Sequence, residues 1–218
     1  MKIIVTGATG LAGEELVRQA IADDKITSIT AIVRKPMKLH SAKLNTIIHN
    51  NFMDYSGLED LFKNSDAFCW CLGISQSQVS KPEYEIITYD YTIAAASKVA
   101  AVNPDMKFIF LSGAGADSSE TSKTLFARIK GKTENRLKSM PLNKLFIVRP
   151  GGIKPIHKNP NTAFFNKVMY LFLPLFEIVW PSMVIGSDTL AKAMLWIAEQ
   201  EPAMQTFENN DLKQCVRE

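Results

Sequence analysis

Short apolar runs alternate along the chain with longer segments in which apolar residues recur every three or four positions. After the first run, apolar residues stand at 11, 12, 16, 17, 20 and 21, which is the spacing of one helix face. The pattern predicts strands at 2–6, 28–33, 45–49, 66–71, 107–111 and 144–149. It predicts helices at 11–22, 56–63, 83–102, 122–139 and 188–199. Because fully apolar strands alternate with helices, the predicted fold class is α/β, with a doubly wound parallel sheet covered on both faces.

The pattern changes after residue 150. Residues 150–161 are rich in glycine, proline, lysine and asparagine, and the apolar segment that follows is interrupted by prolines and charged residues. It contains no run of about 18 apolar residues and therefore does not predict a transmembrane helix. Three interpretations stay open: a lid over the active cleft, a subunit interface, or a peripheral membrane contact through 163–185. We expect one domain, 1–218, with 151–186 as a small helical substrate or lid segment.

The composition is that of an ordinary globular protein. Hydrophobic residues make up 46% of the 218 residues and charged residues 22%, which excludes collagen-like, disordered and disulfide-stapled classes. The net charge of +3 is too small to indicate nucleic-acid binding, so we expect a small-molecule substrate and no nucleic-acid partner. Since the chain begins with the first predicted strand, we expect no signal peptide ahead of it.

The cysteines and histidines predict neither disulfides nor a metal site. Cys69 and Cys71 are two residues apart in a predicted strand, where both can pack as small apolar side chains. An odd number of cysteines does not form a disulfide framework, and His40, His49 and His157 supply no recognised ligand spacing. Free thiols suit a reducing compartment, so we expect a cytoplasmic protein.

A glycine-rich turn joins the first predicted strand to the first predicted helix. Gly7 would make the tight turn, Gly10 would let the backbone approach a pyrophosphate, and Gly13 would let the helix contact the strand. The free amides of the helix N-terminus would then face the negative ligand. Glycines are common in turns of every kind, but this spacing between a strand and a helix favours dinucleotide binding over a purely structural turn.

The end of the second predicted strand indicates which dinucleotide is bound. An acid at this point holds the ribose 2′-hydroxyl of NAD, whereas a basic group accommodates the 2′-phosphate of NADP. The sequence has Arg34 and Lys35 here and no acid. A solvated basic loop would give the same pattern, but two adjacent cations suit a phosphate, so we expect NADP, with NAD as the alternative.

Further motifs follow the later strands, and together with the glycine turn they resemble a known family. These motifs are Cys71-Leu72-Gly73, Leu111-Ser112-Gly-Ala-Gly-Ala-Asp117, Lys130-Gly131-x-x-Glu134 and Arg149-Pro150-Gly151. Their order and spacing resemble the atypical short-chain dehydrogenase/reductases, near the Tat-interacting oxidoreductase-like branch and its bacterial relatives. The resemblance runs through nearly the whole chain. It implies an NADP-binding Rossmann domain with a small C-terminal substrate or lid region.

The resemblance also implies a set of cofactor contacts. The glycine turn would lie along the pyrophosphate, the basic pair at the 2′-phosphate, and the segment after the third strand beside the adenine. The segment after the fourth strand would pass near the riboses, the lysine of the fifth helix would hold the nicotinamide ribose, and the segment after the sixth strand would flank the nicotinamide. In chain order these residues are Gly7, Thr9, Gly10, Leu11, Ala12, Gly13, Arg34, Lys35, Asn51, Phe52, Leu72, Gly73, Lys130, Pro150 and Gly151. Many relatives have aspartate in place of Asn51, but an amide can still hydrogen-bond the adenine amino group.

The sequence departs from the family at the residue that would donate a proton. The family's reductases have a tyrosine four residues before the lysine, on the same helix face. In this chain that position is Phe126, and no tyrosine is followed four residues later by a lysine. Ser112 aligns with the first serine of a Ser-Ser pair in relatives, and the second position is Gly113. Lys130 and Ser112 therefore remain as the candidate catalytic residues, and general-acid catalysis worth about 10²–10⁴-fold is expected to be lost.

Three functions stay open. The protein could reduce acceptors that take their proton from water, such as quinones or flavins, because positioning and hydride transfer then suffice. It could bind NADP without turnover, as a regulatory or interaction module. It could also use another proton donor, for which Tyr91, Tyr170 and His157 are the candidates. The substrate is not identified by the sequence, and both a monomer and a homodimer are compatible with it.

Overall fold

The computed structural model describes residues 1–157 and 183–216. Within these residues a parallel sheet has the strand order β3-β2-β1-β4-β5-β6-β9. Its strands are β1 (Lys2–Thr6), β2 (Ser28–Val33), β3 (Leu44–Ile48), β4 (Ala67–Trp70), β5 (Lys107–Leu111), β6 (Leu145–Arg149) and β9 (Thr206–Glu208). Two further short strands, β7 (Gly152–Lys154) and β8 (Val184–Gly186), pair in parallel as a separate ribbon. The predicted doubly wound α/β fold is confirmed.

Helices connect the strands and cover both faces of the sheet. They are α1 (Leu11–Ala22), α2 (Glu59–Lys63), α3 (Lys81–Glu85), α4 (Tyr91–Val102), α5 (Leu125–Lys138), α6 (Ser187–Gln200) and α7 (Asn209–Gln214). The first helix has the bounds that the apolar spacing predicts. The predicted helix 83–102 is interrupted by a π-helical turn, Ile86–Asp90, between α3 and α4. Among the described residues, no helix combines the length and the apolar character that a membrane crossing needs.

Two apolar layers, one on each face of the sheet, form the core. Ile3 and Val5 of β1 belong to the layer beneath α1 and α6, whereas Ile4 belongs to the layer beneath α4. Successive strand residues point to opposite faces, so a strand that is apolar at every position must be covered on both sides. This explains why a central strand such as β4 is a continuous apolar run and does not alternate with polar residues.

The predicted helix 56–63 begins later than expected, at Glu59. The carboxylate of Asp54 accepts hydrogen bonds from the Ser56 amide at 2.9 Å and from the Ser56 hydroxyl at 2.7 Å, which closes a turn. Gly57 then has a φ of +84°. Because a right-handed helix cannot include a residue with that φ, α2 begins only beyond it.

The C-terminal elements β9 and α7 were not expected from the sequence. The strand Thr206–Glu208 has three residues, too few for a periodic pattern to be recognised. It is nevertheless part of the sheet, because Phe207 pairs with Val148 of β6 and is buried. The predicted substrate or lid segment, 151–186, and the membrane contact, 163–185, fall largely outside the described residues.

Phe68 of β4 is the centre of an aromatic cluster in the layer beneath α4. Its ring centroid lies 5.5 Å from those of Trp70 and Phe108 and 5.6 Å from that of Phe62. All four side chains are fully buried. Tilted and edge-to-face pairs at these distances contribute beyond the area they bury.

Phe68→Ala should lower the free energy of unfolding by about 3–5 kcal/mol, because it leaves a cavity among three fixed rings. Urea denaturation of the purified variant measures this loss. Ile48→Thr, at a position that is 50% exposed on the edge strand β3, is the matched control and should change stability by less than about 0.5 kcal/mol. A loss below about 1 kcal/mol in Phe68→Ala would show that the cluster does not stabilise the fold as described.

Candidate functional site

A cleft of about 680 Å³ opens at the carboxyl ends of β1, β2 and β4. The strand order reverses between β1 and β4, and ligands of doubly wound sheets bind at this kind of switch point. The residues that line the cleft are Gly7, Ala8, Thr9, Glu14, Ile32, Val33, Arg34, Lys35, Pro36, Met37, Lys38, Leu39, Asn50, Phe52 and Leu72. The predicted contact residues Gly7, Thr9, Arg34, Lys35, Phe52 and Leu72 are therefore brought together by the fold.

The glycine turn is pressed against two neighbouring backbones. Gly7 has a φ of +64°, and a Cβ at this position would lie 2.3 Å from the carbonyl oxygen of Cys71. A Cβ at Gly13 would lie 2.3 Å from the carbonyl oxygen of Gly7. The Gly10 amide closes the turn by donating to the Gly7 carbonyl at 2.9 Å. The turn therefore requires glycine at 7 and 13 for packing within the protein itself.

The N-terminus of α1 is free of a side-chain cap. Gly10 is the N-cap residue and has no side chain to accept from the first-turn amides, so Leu11, Ala12 and Gly13 lie at an uncapped helix end. Such amides point along the helix axis and carry the positive end of the helix dipole. An uncapped N-terminus beside a cleft fits the diphosphate of a dinucleotide.

The end of the cleft at β2 is basic. Arg34 and Lys35 are exposed and line it, as does Lys38, which the sequence analysis did not select. Glu14 of α1 also lines the cleft, and its carboxylate lies 3.4 Å from the Arg18 guanidinium. Cations around an open concave surface suit a phosphate group at this end.

The segment after β3 differs in detail from the expectation. Asn50 lines the cleft, whereas the side-chain oxygen of Asn51 accepts from the Met53 amide at 3.1 Å and closes a local turn. Phe52 is buried and lines the cleft, and its ring stacks on that of Tyr91 with centroids 5.7 Å apart. The pattern of two adjacent asparagines did not reveal which of them faces the cleft.

Leu72 and Gly73 directly follow β4 in the segment after Cys71. Leu72 lines the cleft, and Gly73 is exposed with open space where a Cβ would be.

Pro150 and Gly151 follow β6. The Pro150 carbonyl accepts from the Ala114 amide at 2.8 Å, and the Gly151 amide donates to the Asn209 side chain, also at 2.8 Å. These bonds fix the segment that links β6 to the short ribbon.

Lys130 is buried in α5 at the carboxyl ends of β4 and β5. Its ammonium donates to the Leu111 carbonyl at 2.8 Å and lies 4.6 Å from the centre of the Phe110 ring. Burial lowers the pKa of Lys130 to about 8, although the negative field of Glu134 acts in the opposite direction.

Phe126 lies one turn before Lys130, and its ring lies against Gly113. A Cβ built on Gly113 would be 2.6 Å from Cζ of that ring. The Phe126 amide donates to the side-chain oxygen of Gln76 at 3.0 Å, which ties α5 to the segment after β4. The two departures from the family pattern, glycine for serine and phenylalanine for tyrosine, are thus in direct contact, and the ring takes space that a serine side chain would need.

Ser112 is held in a buried network that the sequence analysis missed. Its hydroxyl donates to Glu134, which is fully buried and also forms a two-point ion pair with Arg149. Arg149 donates in addition to Glu208 at 2.8 Å. The hydrogen bonds that the Arg149 guanidinium donates to Glu134 raise the pKa of Arg149 above its usual value. The sequence signal for Glu134 was its position four residues after Lys130, which places both side chains on one helix face. No neighbouring residue in the sequence indicated that Ser112 and Arg149 would be its partners.

Two of the alternative proton donors can be located. His157 Nδ1 lies 2.9 Å from the Glu15 carboxylate of α1. Tyr91 stacks on Phe52 at the wall of the cleft. The third candidate, Tyr170, lies outside the described residues.

Solved structures share this fold at low sequence identity. The enzyme WbmF of Bordetella bronchiseptica, solved in complex with NAD⁺, superposes with a TM-score of 0.72 and 12% identity, over 98% of this chain and 76% of the other. At that identity the likeness shows the fold alone.

Curated relatives give the same indication at the level of sequence. Protein HTATIP2 of Rattus norvegicus is 24% identical over 68% of this chain, and the chain spans only 61% of that relative's length. The mitochondrial protein FMP52 of Meyerozyma guilliermondii is 26% identical over 94% of this chain and 88% of its own length. The resemblance to the atypical short-chain dehydrogenase/reductases is thereby confirmed.

A family model described as NAD(P)H-binding matches residues 7–165. The match begins at the first glycine of the turn and includes the cleft, α5 and the segment after β6. Since it spans more than half of the chain, this protein belongs to the NAD(P)H-binding family.

Proposed function

We propose that this protein binds NADP(H) in the cleft and uses NADPH to reduce a small organic molecule. The observation that carries the proposal is the uncapped N-terminus of α1, presented by the glycine turn to a cleft whose other end is lined by Arg34 and Lys35. The amides would hold the diphosphate, and the two cations would hold the 2′-phosphate. NAD is the weaker alternative because no acid stands at the end of β2.

The remaining contacts of the proposal follow the course of the cleft. Phe52 would pack at the adenine, with Asn50 or Asn51 beside it, and Leu72 and Gly73 would pass near the riboses. Buried Lys130 would hold the nicotinamide ribose. When bound, the reduced dinucleotide supplies hydride, and the protein's own part is to hold the ring near Pro150 and Gly151 and to exclude water from it. Their positions at the carboxyl ends of β4, β5 and β6 support this order.

A binding protein without turnover is the second candidate. Phe126 has no proton to donate, and the Ser112 hydroxyl is already bonded to Glu134. Neither fact affects the contacts proposed for the dinucleotide, so binding would survive where catalysis is lost. A measurement of turnover therefore distinguishes the enzyme from the binding module, whereas the affinity for the dinucleotide does not.

The cytoplasm is the proposed location. Cys69 and Cys71 are free thiols, which suits a reducing compartment. The relatives named FMP52 carry the word mitochondrial in their names, so a mitochondrial location is the alternative.

Removing both cations at the end of β2 should weaken NADPH binding selectively. The double substitution Arg34→Ala and Lys35→Ala is expected to raise the Kd for NADPH about 10–100-fold and that for NADH less than about threefold, because only NADPH has the 2′-phosphate. Quenching of tryptophan fluorescence during titration measures both constants.

The matched control for this experiment is Lys63→Ala, which removes an exposed cation of α2 that does not line the cleft. It should leave both constants within about twofold. Equal losses for NADPH and NADH in the double variant would refute the assignment of the basic pair to the 2′-phosphate, and no binding of either dinucleotide by the wild type would refute the proposed function.

Gly10→Ala should impair binding without unfolding the protein. A Cβ at Gly10 would meet only the Gly7 carbonyl, at 3.2 Å, so the protein needs a small shift to accommodate it. The added methyl group would stand where the diphosphate approaches the turn, and we expect the Kd for NADPH to rise at least tenfold. Calorimetric titration gives the Kd, and a thermal melt should show a Tm within a few degrees of the wild type. Unchanged affinity would mean that the dinucleotide does not approach this turn.

Phe126→Tyr tests whether the site becomes an active centre when the tyrosine of the family's reductases is restored at position 126. With Lys130 one turn away, a phenol at 126 should raise the rate of aldehyde reduction by NADPH at least tenfold. Phe126→Leu is the control and should not raise it. NADPH oxidation followed at 340 nm measures the rates, and the absence of turnover with aldehydes, quinones and flavins in every form would favour the binding module.

A further inference from the structure

We infer that Asn209 is a positioning residue for the nicotinamide half of the dinucleotide, which it serves by holding the backbone of Gly151 in place. The inference rests on the proposed function, in which Pro150 and Gly151 flank the nicotinamide. It adds to that function a residue from the C-terminal part of the chain, outside every motif that the sequence analysis selected. Asn209 acts on the dinucleotide only through the Gly151 backbone.

The Asn209 side chain joins the two strands of the short ribbon to α7. It belongs to the first residue of α7, directly after β9, and is only 6% exposed. Its oxygen accepts from the Gly151 amide at 2.8 Å, just before β7 begins. Its nitrogen donates to the carbonyl of Val184, the first residue of β8, at 3.4 Å. This one side chain therefore determines where the Gly151 backbone lies relative to β8.

The capping of α7 does not account for Asn209. Two carboxylates form the capping box of this helix, because the Glu208 side chain accepts from the Asp211 amide and the Asp211 side chain accepts from the Glu208 amide at 2.9 Å. Asparagine is a common residue at helix starts, where its side chain accepts from first-turn amides. Here that task is performed by its neighbours, and the Asn209 side chain binds the ribbon instead.

The backbone at Gly151 is closely packed, so a change in its hydrogen bonding should move it. A Cβ at Gly151 would lie 2.1 Å from the carbonyl oxygen of Met183, which shows that the two backbones are in direct contact. Pro150 has no amide hydrogen, so the first donor after β6 is the Gly151 amide. Without the Asn209 oxygen this half-buried amide would lose its acceptor, which is unfavourable enough to shift the segment.

A second contact from the same junction holds the other side of Pro150. Glu208, the residue before Asn209, accepts from the Arg149 guanidinium at 2.8 Å and pairs with Arg149 in the sheet. Two consecutive residues between β9 and α7 therefore hold the residues that precede and follow Pro150. The end of the chain thus supports the segment proposed to flank the nicotinamide.

The adenosine half of the proposed site is built from other elements. Arg34 and Lys35 follow β2 and Phe52 follows β3, whereas β1, β4 and β5 stand between these strands and β6. Because sites that share no contacts respond independently, loosening Gly151 should affect the nicotinamide half alone. The compound 2′,5′-ADP contains the adenosine and its 2′-phosphate but no nicotinamide, so its binding also shows that a variant is folded.

The test compares NADPH and 2′,5′-ADP in calorimetric titrations of the wild type and Asn209→Ala. We expect the substitution to raise the Kd for NADPH about fivefold or more and to leave that for 2′,5′-ADP within about twofold. Asn143→Ala is the matched control, because it removes an exposed asparagine side chain, bonded to Asp105 at the amino end of β6, and should change neither Kd. Equal weakening of both ligands in Asn209→Ala, or no weakening of either, would overturn the inference.

The fluorescence of the reduced nicotinamide distinguishes positioning from a merely structural role. In Asn209→Ala at saturating NADPH, the emission of the bound ring should be closer to that of free NADPH than in the wild type, because the ring is less enclosed. A general loss of affinity would leave the emission of the bound fraction unchanged. An identical emission in the two proteins is therefore incompatible with the inference.

A measurement on the wild type alone applies even if Asn209→Ala fails to fold. In ¹⁵N-labelled protein, the signals of the Gly151 amide and the Asn209 side-chain amide should shift when NADPH binds and much less when 2′,5′-ADP binds. Equal shifts with both ligands, or none with bound NADPH, would overturn the inference and leave the proposed function intact. A wild type that binds neither ligand would overturn the proposed function as well.

Discussion

The close approach of backbone to backbone at the glycine turn determines the geometry of the whole cleft. The turn at Gly7 touches the end of β4 at Cys71 on one side and α1 at Gly13 on the other, with no space for a Cβ at either glycine. This contact brings the N-terminus of α1 to the point where the strand order reverses. The basic end of β2 and the wall formed by Phe52 then face the same opening. A larger residue at either glycine would separate these elements before any ligand was involved.

A second constraint holds the other half of the site. Helix α5 has Phe126, Lys130 and Glu134 four residues apart, so all three lie on the face that packs against β5. Glu134 is buried, and a buried carboxylate without a partner would be strongly destabilising, so its ion pair with Arg149 fixes α5 relative to β6. The same pair occupies Ser112 and sets the charge around Lys130. One ion pair thus connects the packing of α5 to the chemistry available at the carboxyl ends of the central strands.

The Phe126 ring lies against Gly113, so the two departures from the family sequence, phenylalanine for tyrosine and glycine for serine, form one structural feature. Each by itself could be interpreted as the loss of a polar group. Together they form an apolar contact in which the ring tip takes the place of a serine side chain. On the same helix face, Lys130 and Glu134 are the ionisable residues one and two turns further along α5.

Much of the fold was predictable because its signals are local. The bounds of β1 and α1 follow from apolar spacing, and the glycine turn is recognised by its position between them. The basic pair, Arg34 and Lys35, lines the cleft as expected, since the carboxyl ends of parallel strands meet at one edge of the sheet. The strand Thr206–Glu208 was missed because three residues carry no period, and its place in the sheet depends on β6.

The sequence by itself determined the doubly wound sheet, the dinucleotide turn and the absence of a tyrosine at 126, because each is a property of neighbouring residues. Only the tertiary structure decided that Asn51 closes its own turn, that Ser112 is bonded to Glu134, and that Phe126 lies on Gly113. The bond from Ser112 and the contact at Gly113 join residues far apart in the chain, which meet because the sheet brings the end of β5 beside α5. Asn51 could have turned either to its own backbone or to the cleft, and in the structure its side chain accepts from the Met53 amide.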